Sequence, residues 1–311
     1  MSSLVIAAST GLIPSSAASP LLTHADDWAA QLRLLGRAGY AHVDLSDLWV
    51  PLGELDEQGV DTLAAALADA GMTAVGSSVI GIELHVPEKR EAGLRWARTS
   101  LANSARLGLT HMSVGLHPRP PRGRIPGGRP LWADIDQPAV HTPEQFVSVA
   151  DDLRELADEA ADQGIGLSLE MHERTLVHDS ADSLRLLELI GRDNVGMNPD
   201  LGNLIRPSWP LTETWYETVE RLAPLIRYWH AKNAVRIELP GGRAASVFAP
   251  LESGLIDYRA GIALALRAGF TGPLVVEHYG GDSLAFAASS LKYLRSLLEG
   301  DLVDLPIGGR A

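Results

Sequence analysis

One recurring punctuation mark constrains this fold more than any other feature of the chain. A helical segment ends in glycine, and an apolar, strand-like run begins within a few residues. The mark stands at Gly39 before residues 42–49, at Gly71 before 73–80 and at Gly108 before 111–117. It returns at Gly164 before 166–172, at Gly191 before 195–200 and at Gly269 before 273–278. Glycine after a helix takes the left-handed backbone that closes the last turn without a Cβ clash. Residues 4–10 and 226–233 complete eight candidate strands. Helical spacing fills the intervals: Phe146, Val149, Leu153, Leu156 and Ala160 form one stripe, and Leu284, Ala287, Leu291, Leu294 and Leu298 another. Thr142-Pro143-Glu144-Gln145 reads as a capping box with proline at the first helical position. Eight alternations in 311 residues, without a composition break, favour an α/β fold over 1–311. The pattern fits a single-domain (β/α)8 TIM barrel better than a doubly wound sheet.

One connection is abnormal. Residues 118–141 are long for a loop, and 118–130 hold five Pro, four Arg and three Gly. Such a segment is either functional, here a lid over the barrel's C-terminal face, or a surface insertion. A tail begins near residue 300. The charge balance argues against nucleic acid, since 26 basic residues face 39 acidic ones for a net of −13. The absence of cysteine removes disulfides, zinc ribbons and thiol catalysis. No apolar run approaches the roughly 18 residues a membrane span needs. Residues 4–8 lack the preceding basic residue and the length of a signal core, so they read as a first strand in a soluble, cytoplasmic protein.

The chemistry concentrates on the last four strands. Alternation along 166–172 puts Leu167, Leu169 and Met171 on one face. Gly166, Ser168, Glu170 and His172 share the other, which points into the barrel. The next strand presents Asn198 and Asp200, the seventh ends with His230 and Lys232, and the eighth ends with Glu277. Glu170, Asp200 and His230 are spaced 30 residues apart and Glu277 follows 47 later, one βα unit each, the last stretched by residues 240–250. Barrel active sites lie at the C-terminal ends of the strands. Three carboxylates and an imidazole at equal heights there would make a hard site for one Mn²⁺, Mg²⁺ or Co²⁺ ion. Taken singly, each of these residues is ordinary, as a cap, a salt-bridge partner or a core histidine; four in register are not. His117 shares an inward face with Ser113 and Gly115. Lys232 reads as a solvated lysine. Trp49, Trp132, Trp209 and Trp229 offer either stacking surfaces for a substrate or ordinary core.

The segments Leu169-Glu170-Met171-His172, Asn198-Pro199-Asp200-Leu201-Gly202-Asn203, His230-Ala231-Lys232 and Val276-Glu277-His278 resemble the xylose-isomerase-like sugar phosphate isomerase/epimerase superfamily. The resemblance implies a TIM barrel in which Glu170, Asp200, His230 and Glu277 bind one divalent metal, commonly Mn²⁺. It implies Glu170 and Glu277 as the acid–base pair of an enediolate mechanism that removes a proton next to a carbonyl. It also implies a substrate-oxygen contact for Arg236, and it leaves His117, His172 and Asn203 as substrate-binding candidates. His172 then binds a hydroxyl, relays a proton or serves the structure. The expected substrate is a small carbohydrate, with no nucleic acid or membrane partner, and the expected assembly is a homo-oligomer. Ketose epimerases of that family carry His where this chain has Asn203. Residues 230–236 and 254–259 are also similar to the large subunit of bacterial C-glycoside deglycosidases, lyase-type enzymes that work with a small partner subunit. Two further readings compete: an abasic-site endonuclease-like enzyme, which needs additional His ligands and a basic groove, and an inert barrel subunit. The arginines of 122–129 leave open whether the substrate is phosphorylated.

Overall fold

The computed structural model describes residues 4–13, 27–119 and 139–301. Eight strands form one parallel sheet: β1 Ile6–Ser9, β2 His42–Ser46, β3 Thr73–Val79, β4 His111–Val114, β5 Gly166–Glu170, β6 Val195–Asn198, β7 Trp229–Ala231 and β10 Leu274–Val276. The order β6-β5-β4-β3-β2-β1-β10-β7 is that of a barrel opened at one seam. The seam closes through side chain and main chain. The Arg227 N–H donates to the Met197 carbonyl at 3.1 Å, and the His230 N–H donates to Asn198 Oδ1 at 2.7 Å. The protein is therefore the single-domain (β/α)8 barrel that the alternation predicts, with strands shorter at their C-terminal ends than the apolar runs.

The glycine punctuation has the predicted physical cause. Gly39, Gly71, Gly108, Gly164, Gly191 and Gly269 all have positive φ, between 59° and 100°. Each strand then leads into a helix that covers it: α1 Trp28–Arg37, α2 Glu57–Ala70, α3 Pro87–Arg106, α4 Pro143–Asp162, α5 Ser180–Ile190, α6 Leu201–Ile205, α7 Trp215–Leu222, α8 Tyr258–Arg267 and α9 Ser283–Ser296. Helix α4 starts with the expected capping box at Thr142 and Gln145, and its stripe from Phe146 to Ala160 is buried. Leu167, Leu169 and Met171 pack outward into that helical layer. Tyr228, Ala7 and Val275 fill the barrel interior below the polar residues. None of the described helices is long and apolar enough to cross a membrane.

Residues 233–249 depart from the sequence reading, which took 240–250 as a stretched connection. They form an antiparallel hairpin, β8 Asn233–Leu239 and β9 Arg243–Ala249, turning at Gly241 and Gly242, both of positive φ. Val235, Ile237 and Leu239 alternate around that Gly-Gly turn, a short-range hairpin signal that the barrel's repeat masks. Residues 120–138 lie outside the described residues, and with them the arginines of 122–129, Trp132 and most of the expected lid. So does the tail after residue 301.

Candidate metal centre

Glu170 ends β5, Asp200 caps the N-terminus of α6, His230 sits in β7, and Glu277 follows β10. Parallel strands of matched register bring these positions to one height, and one ligand atom from each lies within 4.8 Å of the other three. All four residues are at most 5% exposed. His230 Nδ1 stands 3.6 Å from Glu170 Oε1 and 3.5 Å from Glu277 Oε2. His230 Nδ1 is buried without a hydrogen-bond partner. A buried polar atom left unpaired is rare, and an orphaned ring nitrogen facing two carboxylates fits a metal ligand.

The centre contains a residue that sequence reasoning misplaced. Lys232 is not solvated but fully buried, with Nζ 2.7 Å from Asp200 Oδ2, 2.9 Å from Glu277 Oε2 and 3.1 Å from Asn203 Oδ1. The Tyr258 hydroxyl fixes its backbone, accepting from the Lys232 N–H and donating to its carbonyl. Its aliphatic stem crosses Gly202, where a Cβ would stand 2.7 Å from Cγ. Glycine in the Leu201-Gly202-Asn203 turn was the available signal. Asn203 joins the two sides of the cage, its Nδ2 donating to Asp200 Oδ2 at 2.9 Å and to Glu170 Oε1 at 3.3 Å. Tyr279 donates its hydroxyl to Glu277 Oε1 at 2.6 Å.

Three buried carboxylates against one buried ammonium leave two negative charges, and burial makes uncompensated charge expensive. The residues respond accordingly. Burial opposes ionisation of Glu277, yet the Lys232 ammonium and the nearby His230 imidazole hold its carboxyl well below the usual range. Glu170 lies below its ordinary value because contact with His230 outweighs burial. For His230 burial works against the charge, but Glu170 and Glu277 raise it well above an ordinary imidazole. Asp200 goes the other way: burial, offset in part by Lys232 and reinforced by Glu277 and Glu170, pushes it up to about 7. The donor set and the charge deficit both fit one divalent cation of hard character. Its entry would require an ionised Asp200 and a His230 without its Nδ1 proton. Affinity for Mn²⁺ is therefore expected to rise as pH passes upward through about 7. Titration calorimetry on either side of that value, in buffers of different ionisation enthalpy, should show weaker binding and more protons released on the acid side. Affinity independent of pH would contradict these shifts.

A cavity of about 640 Å³ opens over the cage. Glu170, His230, Glu277 and Asn203 form its floor, and His117 and His172 line its wall. Pro118, Arg119, Ala139 and His141, which flank the segment outside the described residues, also line it. His117 and His172 stack face to face with centroids 3.9 Å apart. Arg206 Nη2 donates to His172 Nε2 at 2.8 Å, and His172 Nδ1 lies 3.2 Å from the Glu173 carbonyl. Burial and the nearby cations keep that imidazole neutral, its pKa well below the ordinary value. Both nitrogens are thus engaged, which suits a rigid wall rather than the proton relay considered from sequence.

Arg236 is not brought to the cavity. Its guanidinium donates to the carbonyls of Ile205, Pro207 and Trp209, stapling the end of α6 to the hairpin. The unforeseen β8 carries it outward, away from the substrate-contact role the resemblance implied. Arg206 reaches the cavity instead, paired with Glu173 at 2.8 Å. Two of the tryptophans take the core side of the alternatives left open by the sequence. Trp49 and Trp229 are core residues, Trp209 is half-buried against a separate small pocket, and none of the three lines the large cavity.

A closed parallel barrel with a buried four-donor cage at the carboxyl ends of its strands defines the class. The chain belongs to the xylose isomerase-like TIM barrel family, whose model matches residues 32–297. It is similar to a xylose isomerase-like TIM barrel protein from Mycobacterium smegmatis, solved in complex with magnesium, at 32% identity and a TM-score of 0.83. That alignment covers 96% of this chain and 98% of the other. An L-ribulose 3-epimerase matches at 18% identity and a TM-score of 0.70, covering 98% and 99% of the two chains. A 3-keto-D-glucoside 4-epimerase from E. coli matches at 18% and 0.63, covering 94% and 99%. Comparison with curated protein sequences found no match.

Proposed function

We propose that the protein is a divalent-metal-dependent isomerase or epimerase-like enzyme acting on a sugar or sugar derivative by proton abstraction next to a carbonyl. The observation that carries this reading is the convergence of Glu170, Asp200, His230 and Glu277, with His230 Nδ1 unpartnered, beneath a cavity whose floor three of them line. Those four residues would hold Mn²⁺ or Mg²⁺. When bound, the ion supplies polarisation of adjacent carbonyl and hydroxyl oxygens and stabilisation of the enediolate charge. The protein's own groups supply the proton chemistry. Glu277, kept ionised by Lys232 and oriented by Tyr279, serves as the base. Glu170, oriented by Asn203 Nδ2 and facing the same cavity, returns one to another face or carbon of the substrate. His172 and Arg206 form a wall whose hydrogen bonds are already made, so it shapes the cavity without exchanging protons.

A 3-oxo-glycoside undergoing elimination is a second reading, favoured by one pair of observations. Asn203 stands where ketose epimerases of the family carry His, and Arg236 lies outside the cavity. Both readings share the first deprotonation, so solvent exchange tests them together. Protein loaded with Mn²⁺ in D₂O is expected to wash deuterium into the carbon beside the carbonyl of a ketose or a 3-oxo-glycoside. Chelation should abolish the exchange and Mn²⁺ should restore it. Stoichiometric metal with no exchange into either panel would overturn the proposal. Less than half a metal per chain, with no gain on adding Mn²⁺, would favour the inert subunit.

A further inference from the structure

The metal-facing imidazole is held from behind by a chain of buried polar groups that no part of the mechanism above uses. His230 Nε2 lies 3.0 Å from Ser78 Oγ, and Ser78 Oγ donates to Asp44 Oδ1 at 2.9 Å. Tyr228 donates its hydroxyl to the same Asp44 oxygen at 2.6 Å. Asp44 is fully buried and Ser78 nearly so. We propose that Asp44, acting through Ser78, is the positioning group that fixes the ring orientation and tautomer of His230, so that Nδ1 is the nitrogen presented to the cage. The inference rests on the metal-centre reading above.

The chain has one consistent direction. An ionised Asp44 only accepts, so Ser78 spends its single proton on Asp44 and turns a lone pair toward His230. Nε2 must then carry a hydrogen to donate, which leaves Nδ1 as the ring nitrogen free to ligate. Nδ1 is the atom that faces Glu170 and Glu277 and has no hydrogen-bond partner.

Two further observations show that Asp44 is aimed rather than merely buried. The β2–β3 register slips at this point, Val43 pairing with Ala74 but Asp44 with Gly76, so β3 carries an extra residue beside it. Bulges of this kind re-aim side chains near functional sites. Gly76 makes room for Tyr228, whose hydroxyl would stand 3.0 Å from a Cβ at that position. Asp44 Oδ2, moreover, is buried with no partner. Both donors crowd Oδ1, an arrangement unfavourable for packing alone. Metal-ligating histidines are commonly held by a carboxylate on the far nitrogen, and loss of such a partner weakens metal binding about 10–100-fold. Here a serine hydroxyl is interposed.

The test is a double-mutant cycle of Ser78→Ala and Asp44→Asn, read as Mn²⁺ affinity by calorimetry and as the visible spectrum of the Co²⁺-loaded protein. Ser78→Ala is expected to weaken Mn²⁺ binding by about 10–100-fold and to shift the Co²⁺ bands. Asp44→Asn alone should weaken it too. In the Ser78→Ala background Asp44→Asn should change affinity by less than about twofold, because the chain is already broken. Ser104→Ala, which removes a buried serine bonded to Ser77 away from the cage, should leave Mn²⁺ affinity unchanged. Unaltered affinity and spectrum in Ser78→Ala, or fully additive effects in the double variant, would overturn the inference. If Ser78→Ala does not fold, unaltered Mn²⁺ affinity in Asp44→Asn alone would overturn it. Wild-type protein that binds no Mn²⁺ would instead sink the metal-centre reading itself, so the two failures are distinct.

Discussion

Glu170→Gln and Glu277→Gln are each expected to lower turnover by about 10²–10⁴-fold, the usual range for loss of a positioned acid–base group. Glutamine preserves the shape of the side chain and an acceptor oxygen but removes the base. The effect should fall on kcat, and on deuterium exchange into substrate, while the barrel stays folded. The two variants should differ in one respect. Glu277 is paired with Lys232 and hydrogen-bonded by Tyr279, so its replacement also disturbs the cage. Glu170 accepts only the longer bond from Asn203 among the neutral donors. Glu277→Gln is therefore expected to weaken Mn²⁺ binding more than Glu170→Gln does. Ordinary turnover in Glu170→Gln would remove the acid–base assignment.

Lys232→Met is the second large effect, and it reverses what the sequence alone implies, namely that Lys232→Ala would leave much of the activity. The ammonium is fully buried between Asp200 and Glu277. Removing one partner of such a pair typically costs about 3–5 kcal/mol, because the remaining charge stays buried and uncompensated. For a chain of this size that corresponds to a fall of about 5–8 °C in the melting temperature of the metal-free protein. Mn²⁺ should recover much of the loss, since a divalent cation relieves the same surplus of negative charge. Turnover should remain low even with metal, because Lys232 also fixes where the Asp200 and Glu277 carboxylates stand. Scanning calorimetry with and without Mn²⁺, alongside an activity assay, checks both halves. An unchanged melting temperature in the metal-free variant would show that the buried pair contributes little.

The barrel is legible in the chain because its determinants are local and repeated. Six glycines with positive φ mark six helix ends, and each is followed by a run apolar enough to be a strand. The four candidate ligands are legible for the same reason. Parallel strands of equal register convert an interval of one βα unit into spatial adjacency, so Glu170, Asp200, His230 and Glu277 could be aligned by counting. His117 and His172 followed from the same strand alternation, Asn203 from the family resemblance, and all three line the cavity.

What escaped the sequence depends on contacts between residues with no fixed spacing. Lys232 is two residues beyond His230, and nothing in that interval says whether its side chain meets solvent or Asp200. The answer lies in the groove over Gly202 and in the Tyr258 hydroxyl that anchors its backbone. Arg236 sits six residues after His230 as the resemblance expects, but β8 carries it outward to bond the carbonyls of 205–209. Arg206 takes a place on the cavity wall through its pairing with Glu173.

By itself the sequence determined the alternation, the closure into eight units and the heights at which three acids and a histidine emerge, all of which follow from periodicity and backbone sterics. Tertiary structure alone decided which charges compensate which, that Lys232 lies inside the cage, and that Asp44 and Ser78 stand behind His230. Hydrogen bonds and ion pairs act over a few ångströms between groups far apart in the chain, such as Tyr228 and Asp44, separated by 184 residues. Their partners are settled only once the barrel has closed around them.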